Sequence, residues 1–414
     1  MPAISPELFL LGLGALLVAT VLAGSLSSRF GLPSLIGFLA LGMLAGSDGP
    51  FGIEFSDYGL AQAIGIACLI FILFSGGLDT SWRTVRPVAV PALVLATLGV
   101  LISALVVAVS AVWLLKFDPL QGFVLGAVIG STDAAAVFAM MRSQGVPLRK
   151  DVQGLIELES GSNDPTAIFL VGAALLFLTS PEASPLGLAP DFVAQMVLGA
   201  IVGVGAGAAF VAMLRRTRLQ VGGLSLVVSI AAALVSYGLA GVIGGNGFLA
   251  AYVAGIVAGN REFPGKRNIT LFQDGAAWLA QVVMFLTLGL LVFPSQLSAV
   301  IAPGLAVTAI LMLAARPLSV FICLAPFRRF DWRAKLFISW AGLRGAVPIV
   351  LATFPIVAGV PGAQTIFNIV FFVVLLSSVI QGPMLGWLTR RLGLEARPVP
   401  PEADVSPEPE PQRP

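Results

Sequence analysis

The sequence predicts an all-α polytopic membrane protein of about thirteen transmembrane helices, on three observations: apolar runs recur along its length, few residues are charged, and the basic ones gather in alternate connections. Charged residues are 11% of the chain, against about 25% in soluble domains. With 57% hydrophobic residues and a mean hydropathy of +0.98, the bilayer is its solvent. Roughly 20 apolar residues cross a hydrocarbon core as a helix.

By that length the spans start near residues 8, 33, 59, 88, 120, 152, 191, 223, 247, 270, 299, 334 and 364. The first run, residues 8–26, resembles those that follow and reads as a span rather than a removable signal. The second and ninth, residues 35–44 and 248–258, are short and glycine-rich, which predicts tilted or partly broken helices. The fifth carries Gly130-Ser131-Thr132-Asp133, a glycine and three short polar side chains that compete for the backbone. Pro165 in the sixth span would free the carbonyl of Gly161, and Pro348 in the twelfth that of Arg344. The fifth and twelfth spans, seven apart, are therefore expected to be broken, an arrangement that points to a transporter's ion site. Their half-helix ends would carry partial charges that Asp133 and Arg344 could offset.

Of the 23 basic residues, 20 fall in alternate connections and the C-terminal tail, while the opposite connections hold Lys116 beside Asp48, Glu54, Asp57, Glu182 and Asp191. That bias puts the N-terminus outside and the C-terminus in the cytoplasm, as in a cell inner membrane. The membrane domain is read as residues 1–394, and the proline- and glutamate-rich residues 395–414 as a disordered tail. No soluble catalytic or nucleotide-binding domain is expected, so the chain reads as neither an enzyme nor a nucleic-acid binder. No cofactor is called for. Cys68 and Cys323, both within apolar runs, read as packing residues.

Six charges are left inside spans: Asp133, Glu157, Glu159, Asp164, Arg316 and Arg344. Such groups mark functional sites by default. At about 1.5 Å per residue, Asp164 lies near mid-bilayer, Glu159 nearer the cytoplasm, and Asp133, Arg316 and Arg344 at similar depth. Two arginines can neutralise Asp133 and Glu159. Glu157, near the inner mouth, reads as a funnel charge. Asp164 is left without a partner; ionising it there is costly, so it must hold a proton or bind a cation. The chain has no histidine, so proton exchange falls to a carboxylate. Ser160 shares a helix face with Asp164, as Glu159 does with Asn163. The hydroxyl or carbonyl of Thr132 would complete an all-oxygen, singly charged site for a monovalent cation. A divalent ion would demand more carboxylates.

The segments GSTDAAAVFAMM (130–141), ELESGSNDPTAIFL (157–170), AARPLSV (314–320) and WAGLRGAVPIVLA (340–352) resemble the NhaP-like monovalent cation:proton antiporters, most nearly the bacterial potassium/proton exchangers of the cell-volume-regulation type. The resemblance implies inverted repeats, a homodimer, a dimerisation domain and a mobile core domain that moves like an elevator. It implies that Asp164 is the shared cation and proton ligand, that Asn163, Thr132, Ser160 and Asp133 belong to the site, and that the substrates are K+ or Na+ and H+. It pairs Glu159 with Arg316 and Asp133 with Arg344. Asn163 stands where electrogenic relatives have aspartate, which implies one proton per cation. The tail is too short for the regulatory domain of the cell-volume type, so control through one is not expected. Two other functions compete. A passive cation channel would need a repeated carbonyl filter, which is not visible. An intramembrane aspartyl protease would need Asp133 and Asp164 to share a proton, but Arg344 offers Asp133 another partner.

Overall fold

The computed structural model describes residues 5–29, 32–180, 184–217 and 222–396; these are helical throughout apart from connections and two isolated bridges, Gly46 to Ile53 and Leu148 to Glu395. The helices are α1 (Pro6–Arg29), α2 (Ser34–Ala45), α3 (Tyr58–Asp79), α4 (Trp82–Leu115), α5 (Pro119–Val128), α6 (Ala134–Ser143), α7 (Lys150–Thr179) and α8 (Leu188–Thr217). Then follow α9 (Gly222–Val242), α10 (Gly247–Gly259), α11 (Lys266–Leu290), α12 (Pro294–Cys323), α13 (Trp332–Trp340), α14 (Ala346–Val357) and α15 (Ala363–Leu392). Among the described residues, nine helices are long and apolar enough to cross a membrane. The tail expected from residue 395 falls, after Ala396, outside the described residues; Glu395 itself pairs with Arg390 at 3.5 Å.

Both expected breaks exist. α5 ends at Val128 and α6 starts at Ala134, with Asp133 capping α6 by accepting from the Ala136 N–H at 2.9 Å. α13 ends at Trp340 and α14 begins at Ala346. The role expected of Pro348 needs correction. It sits in the first turn of α14, where no helical carbonyl is available to lose; the break precedes it, around Gly345. α2 and α10 are short, as expected, but run unbroken for 12 and 13 residues.

α4 and α12, which precede the two broken pairs, each contain a π-helical stretch, Leu95–Gly99 and Leu311–Ala315. Each stretch packs against the regular helix that follows the other. The Ser103 and Ser319 hydroxyls bond across this contact at 3.0 Å.

Lipid tails supply no hydrophobic drive between helices, so close packing depends on small residues. α3 and α10 meet through Gly77, Gly255 and Gly259; a Cβ on any of them would strike the partner backbone, at Tyr252, Phe74 and Leu78 respectively. α2 and α11 meet likewise through Gly42 and Gly289. In the α2–α3 connection, Asp48 accepts from the hydroxyl and N–H of Ser295 at the start of α12 (2.6 and 3.0 Å), which holds its carboxyl below the usual range.

The packing gives a stability test. Gly255→Ala is expected to lower the melting temperature of detergent-purified protein, by overpacking worth about 1–3 kcal/mol. Gly238→Ala, in α9 with open space at its Cβ, is expected to be neutral or stabilising. Equal melting of the two variants would contradict the close α3–α10 contact.

Candidate functional site

The two breaks meet in the core. Backbone there has lost its helical partners, and in an apolar surrounding each unmade hydrogen bond is costly. The Arg344 guanidinium donates from Nη1 to the carbonyls of Gly130 (2.8 Å) and Ser131 (2.5 Å), at the end of α5 where carbonyls point outward. The Asp133 N–H donates to the Leu343 carbonyl at 2.8 Å. The Arg344 N–H is taken by Ser377 of α15 at 3.1 Å. Asp133 packs against Gly345, whose missing side chain makes room for the carboxylate between the N-termini of α6 and α14.

This corrects one expected pairing. Among the described residues Arg344 and Asp133 form no ion pair with each other. The guanidinium is drawn to the negative end of α5 and the carboxylate to the positive end of α6, so each offsets a half-helix rather than the other side chain. The Glu159–Arg316 pair is present, with a hydrogen bond from Nη2 to Oε2 at 2.8 Å and a close ion contact of Nη1 with Oε1 at 2.6 Å, and with both side chains buried.

Asp164 lies on α7 beside the α5–α6 break, 5% exposed, and accepts a hydrogen bond from the Ser131 hydroxyl at 2.5 Å. Among the described residues no basic side chain pairs with it. The Ser160 hydroxyl donates to the Thr132 carbonyl (2.7 Å) and accepts from the Ala134 N–H (2.9 Å). The Asn163 amide donates to the Thr132 hydroxyl (2.6 Å) and its oxygen accepts from the Thr132 N–H (3.3 Å). Asn163 is thus fully buried as a clamp on the unwound segment, and does not line the adjacent cavity. On the far side, Asn246 at the start of α10 donates to the Pro165 carbonyl at 3.3 Å.

Asp164, Ser131, Thr132, Asp133 and Ser160 line one cavity of about 330 Å³. Its wall continues past Gly161, Tyr252 and Glu157 to the exposed Asp79 and Arg142, on the side that carries the basic connections. Ser131, Tyr252 and Asp79 were not singled out as site residues from the sequence. Ser131 adjoins Thr132 and Asp133, but its aim at Asp164 depends on non-helical backbone that periodicity does not fix.

Discontinuous helices that cross at a buried carboxylate, with a cavity open to one side, define a membrane transporter. The chain belongs to the sodium/hydrogen exchanger family: residues 15–391 match its transmembrane model. It is 43% identical over 391 residues to the K+/H+ antiporter NhaP2 of Shewanella sp. strain ANA-3, covering 94% of this chain and 68% of that one. To the K+/H+ antiporter NhaP of Alkalimonas amylolytica it is 42% identical over 396 residues, covering 95% and 69%. The fold matches that of the sodium proton antiporter MjNhaP1 from Methanocaldococcus jannaschii, with a TM-score of 0.79 over 93% of this chain and 99% of that one, at 24% identity. The resemblance read from the four motifs is borne out, and the chain is an antiporter of the NhaP type. Neither a channel nor a protease is favoured by these relatives.

Removing one partner of a buried ion pair strands the other, at a cost of about 3–5 kcal/mol. Arg316→Met is therefore expected to lower melting temperature and folded yield sharply, and Glu159→Gln added to it to restore much of the loss. A single variant as stable as the parent would show that Glu159 is not held by Arg316.

Proposed function

We propose that the protein exchanges a monovalent cation, K+ or Na+, for a proton, with both ions competing for Asp164. The observation that carries this reading is the imbalance of buried charge: among the described residues, Glu159 has Arg316, Asp133 has the N-terminus of α6, and Asp164 has only the Ser131 hydroxyl. A bare carboxylate so placed is too costly, so Asp164 is occupied by a proton or by a cation whenever it is away from water. That obligation couples the two fluxes. Asp164, Ser131, Ser160 and the Thr132 oxygens supply a hard, singly charged ligand set, and water completes the shell. With Asn163 uncharged, one proton balances one cation and the exchange moves no net charge.

The same reading places the N-terminus outside and the cavity mouth in the cytoplasm, by the distribution of basic residues. It takes the resting assembly as a homodimer of inverted-repeat protomers, each with a transporter domain over residues 1–394. The matching π stretches and breaks in α4–α6 and α12–α14 support the repeat. An elevator-like movement of the crossed helices would carry Asp164 between the two faces, in the service of cation, pH or volume balance.

In everted vesicles, Asp164→Asn is expected to abolish dissipation of a proton gradient on addition of K+ or Na+, and the parent is expected to respond equally with and without a clamped membrane potential. Retained exchange in the variant would sink the assignment. Competition also fixes the pH dependence. A protonated Asp164 excludes the cation, so the apparent cation KM should rise by about tenfold for each pH unit on the acid side of the site's titration and level off on the alkaline side. A KM independent of pH in proteoliposomes would show that the two ions do not share one carboxylate.

A further inference from the structure

Between Asp164 and the cavity mouth stands an aromatic ring that the exchange chemistry does not need. Tyr252 of α10 is 3% exposed and lies on Gly161 of α7 so closely that a Cβ there would fall inside the ring. Gly161 is three residues before Asp164 and four after Glu157, so the ring meets α7 at a level between them, about 4.5 Å of helix rise from Asp164 and about 6 Å from Glu157. All of these residues line the one cavity. The mount is rigid. α10 packs on α3 through glycines, the Tyr252 hydroxyl meets that of Thr80 at 3.3 Å, and Asn260 donates to the Thr80 carbonyl at 2.8 Å.

We propose that Tyr252 determines which cation the Asp164 site accepts, by forming an aromatic constriction on the path between Asp164 and the mouth. The inference rests on the reading of Asp164 as the ion site. Beyond the ring, Asp79 and Glu157 lie nearer the cavity mouth, where a cation keeps its hydration shell. At the ring a cation gives up part of its hydration shell, and what it meets in return is the part of the aromatic surface that Gly161 leaves uncovered and one hydroxyl already turned to Thr80. The face of an aromatic ring attracts cations but repays desolvation only modestly. The passage therefore favours the ion that surrenders water most readily and penalises small, strongly hydrated ones. The protein oxygens around Asp164 receive whichever ion the ring has let through, so the order set at the ring acts before the site is reached.

The test is transport by purified Tyr252→Phe, Tyr252→Leu and Tyr252→Ala in proteoliposomes with an internal pH dye, measuring kcat/KM for Li+, Na+, K+ and Rb+. The parent is expected to discriminate in favour of the larger ions. The spread between best and worst ion should shrink by at least about fivefold in the Leu and Ala variants and stay within about twofold of the parent in the Phe variant, which keeps the ring. An indiscriminate parent, or a rate lowered equally for all four ions in Tyr252→Leu, would overturn the proposal and leave the ring a packing element. Should the Leu and Ala variants fail to fold, Gly161→Ala displaces the ring from the other side, and an unchanged spread there would overturn the proposal as well. Asp164→Asn, run alongside, separates the two ideas. Exchange surviving in it removes the ion site itself, whereas an inert Asp164→Asn beside an unchanged spread in Tyr252→Leu removes only the role of the ring.

Discussion

The structure depends on one constraint: backbone that leaves the helix inside an apolar core must find other partners. Two chain breaks meet that demand jointly. Arg344, delivered by the second break, satisfies the carbonyls of Gly130 and Ser131 in the first, while the first break gives its Asp133 N–H to Leu343 in the second. Neither break would be tolerable alone. Because they are locked together, residues 130–133 have a fixed non-helical path, and that path points the Ser131 hydroxyl at Asp164. The same path presents Thr132 to Asn163 and Ser160 of α7. The proposed ion site is thus a by-product of the solution to a hydrogen-bonding problem.

The buried charges divide accordingly. Arg344 and Asp133 answer to half-helix ends, and Glu159 and Arg316 answer to each other. A buried pair contributes little net stability compared with apolar residues of the same volume, so the Glu159–Arg316 pair is better understood as a registration device. It ties α7, which carries Asp164, to α12 at the residue directly after its π stretch. π stretches accommodate an extra residue in a helix and tend to mark functional places. Here they occur as a matched pair on α4 and α12, each against the other's regular part. The helices that flank the crossing are therefore registered twice, once by packing and once by charge.

Much of this was legible in the sequence, for physical reasons that also set the limit. Apolar runs and the segregation of Lys and Arg gave the membrane fold because bilayer thickness and charge cost act on every span. Gly130 to Asp133 announced a break because those side chains compete for backbone groups. Asp164 stood out because depth offered arginines to Asp133 and Glu159 and left it unpaired, and the pairing of Glu159 with Arg316 agreed with depth. What failed were statements about direction. Arg344 and Asp133 have the right depth for an ion pair, yet helix ends outbid it. Pro348 was read as the cause of a break that in fact precedes it. Ser131 and Ser160 were separable only once the unwound backbone was known, since a period of 3.6 residues says nothing about a segment that is not a helix.

On the proposed reading, the surroundings of the cavity's carboxylates explain why coupling would belong to the deepest of them. Asp79 is exposed at the mouth and Glu157 half-buried, so both lie nearer water than Asp164 does. They raise the local cation concentration but impose no condition on what passes. Asp133 is committed to the N–H groups of α6 and cannot exchange partners without uncapping that helix. Among the described carboxylates of the cavity, Asp164 combines burial with a single hydrogen bond, from the Ser131 hydroxyl at 2.5 Å, which leaves its other oxygen to an exchangeable occupant. Strict exchange needs both halves of that condition. A carboxylate with a permanent arginine would bind nothing, and one in open water would let either ion go without waiting for the other.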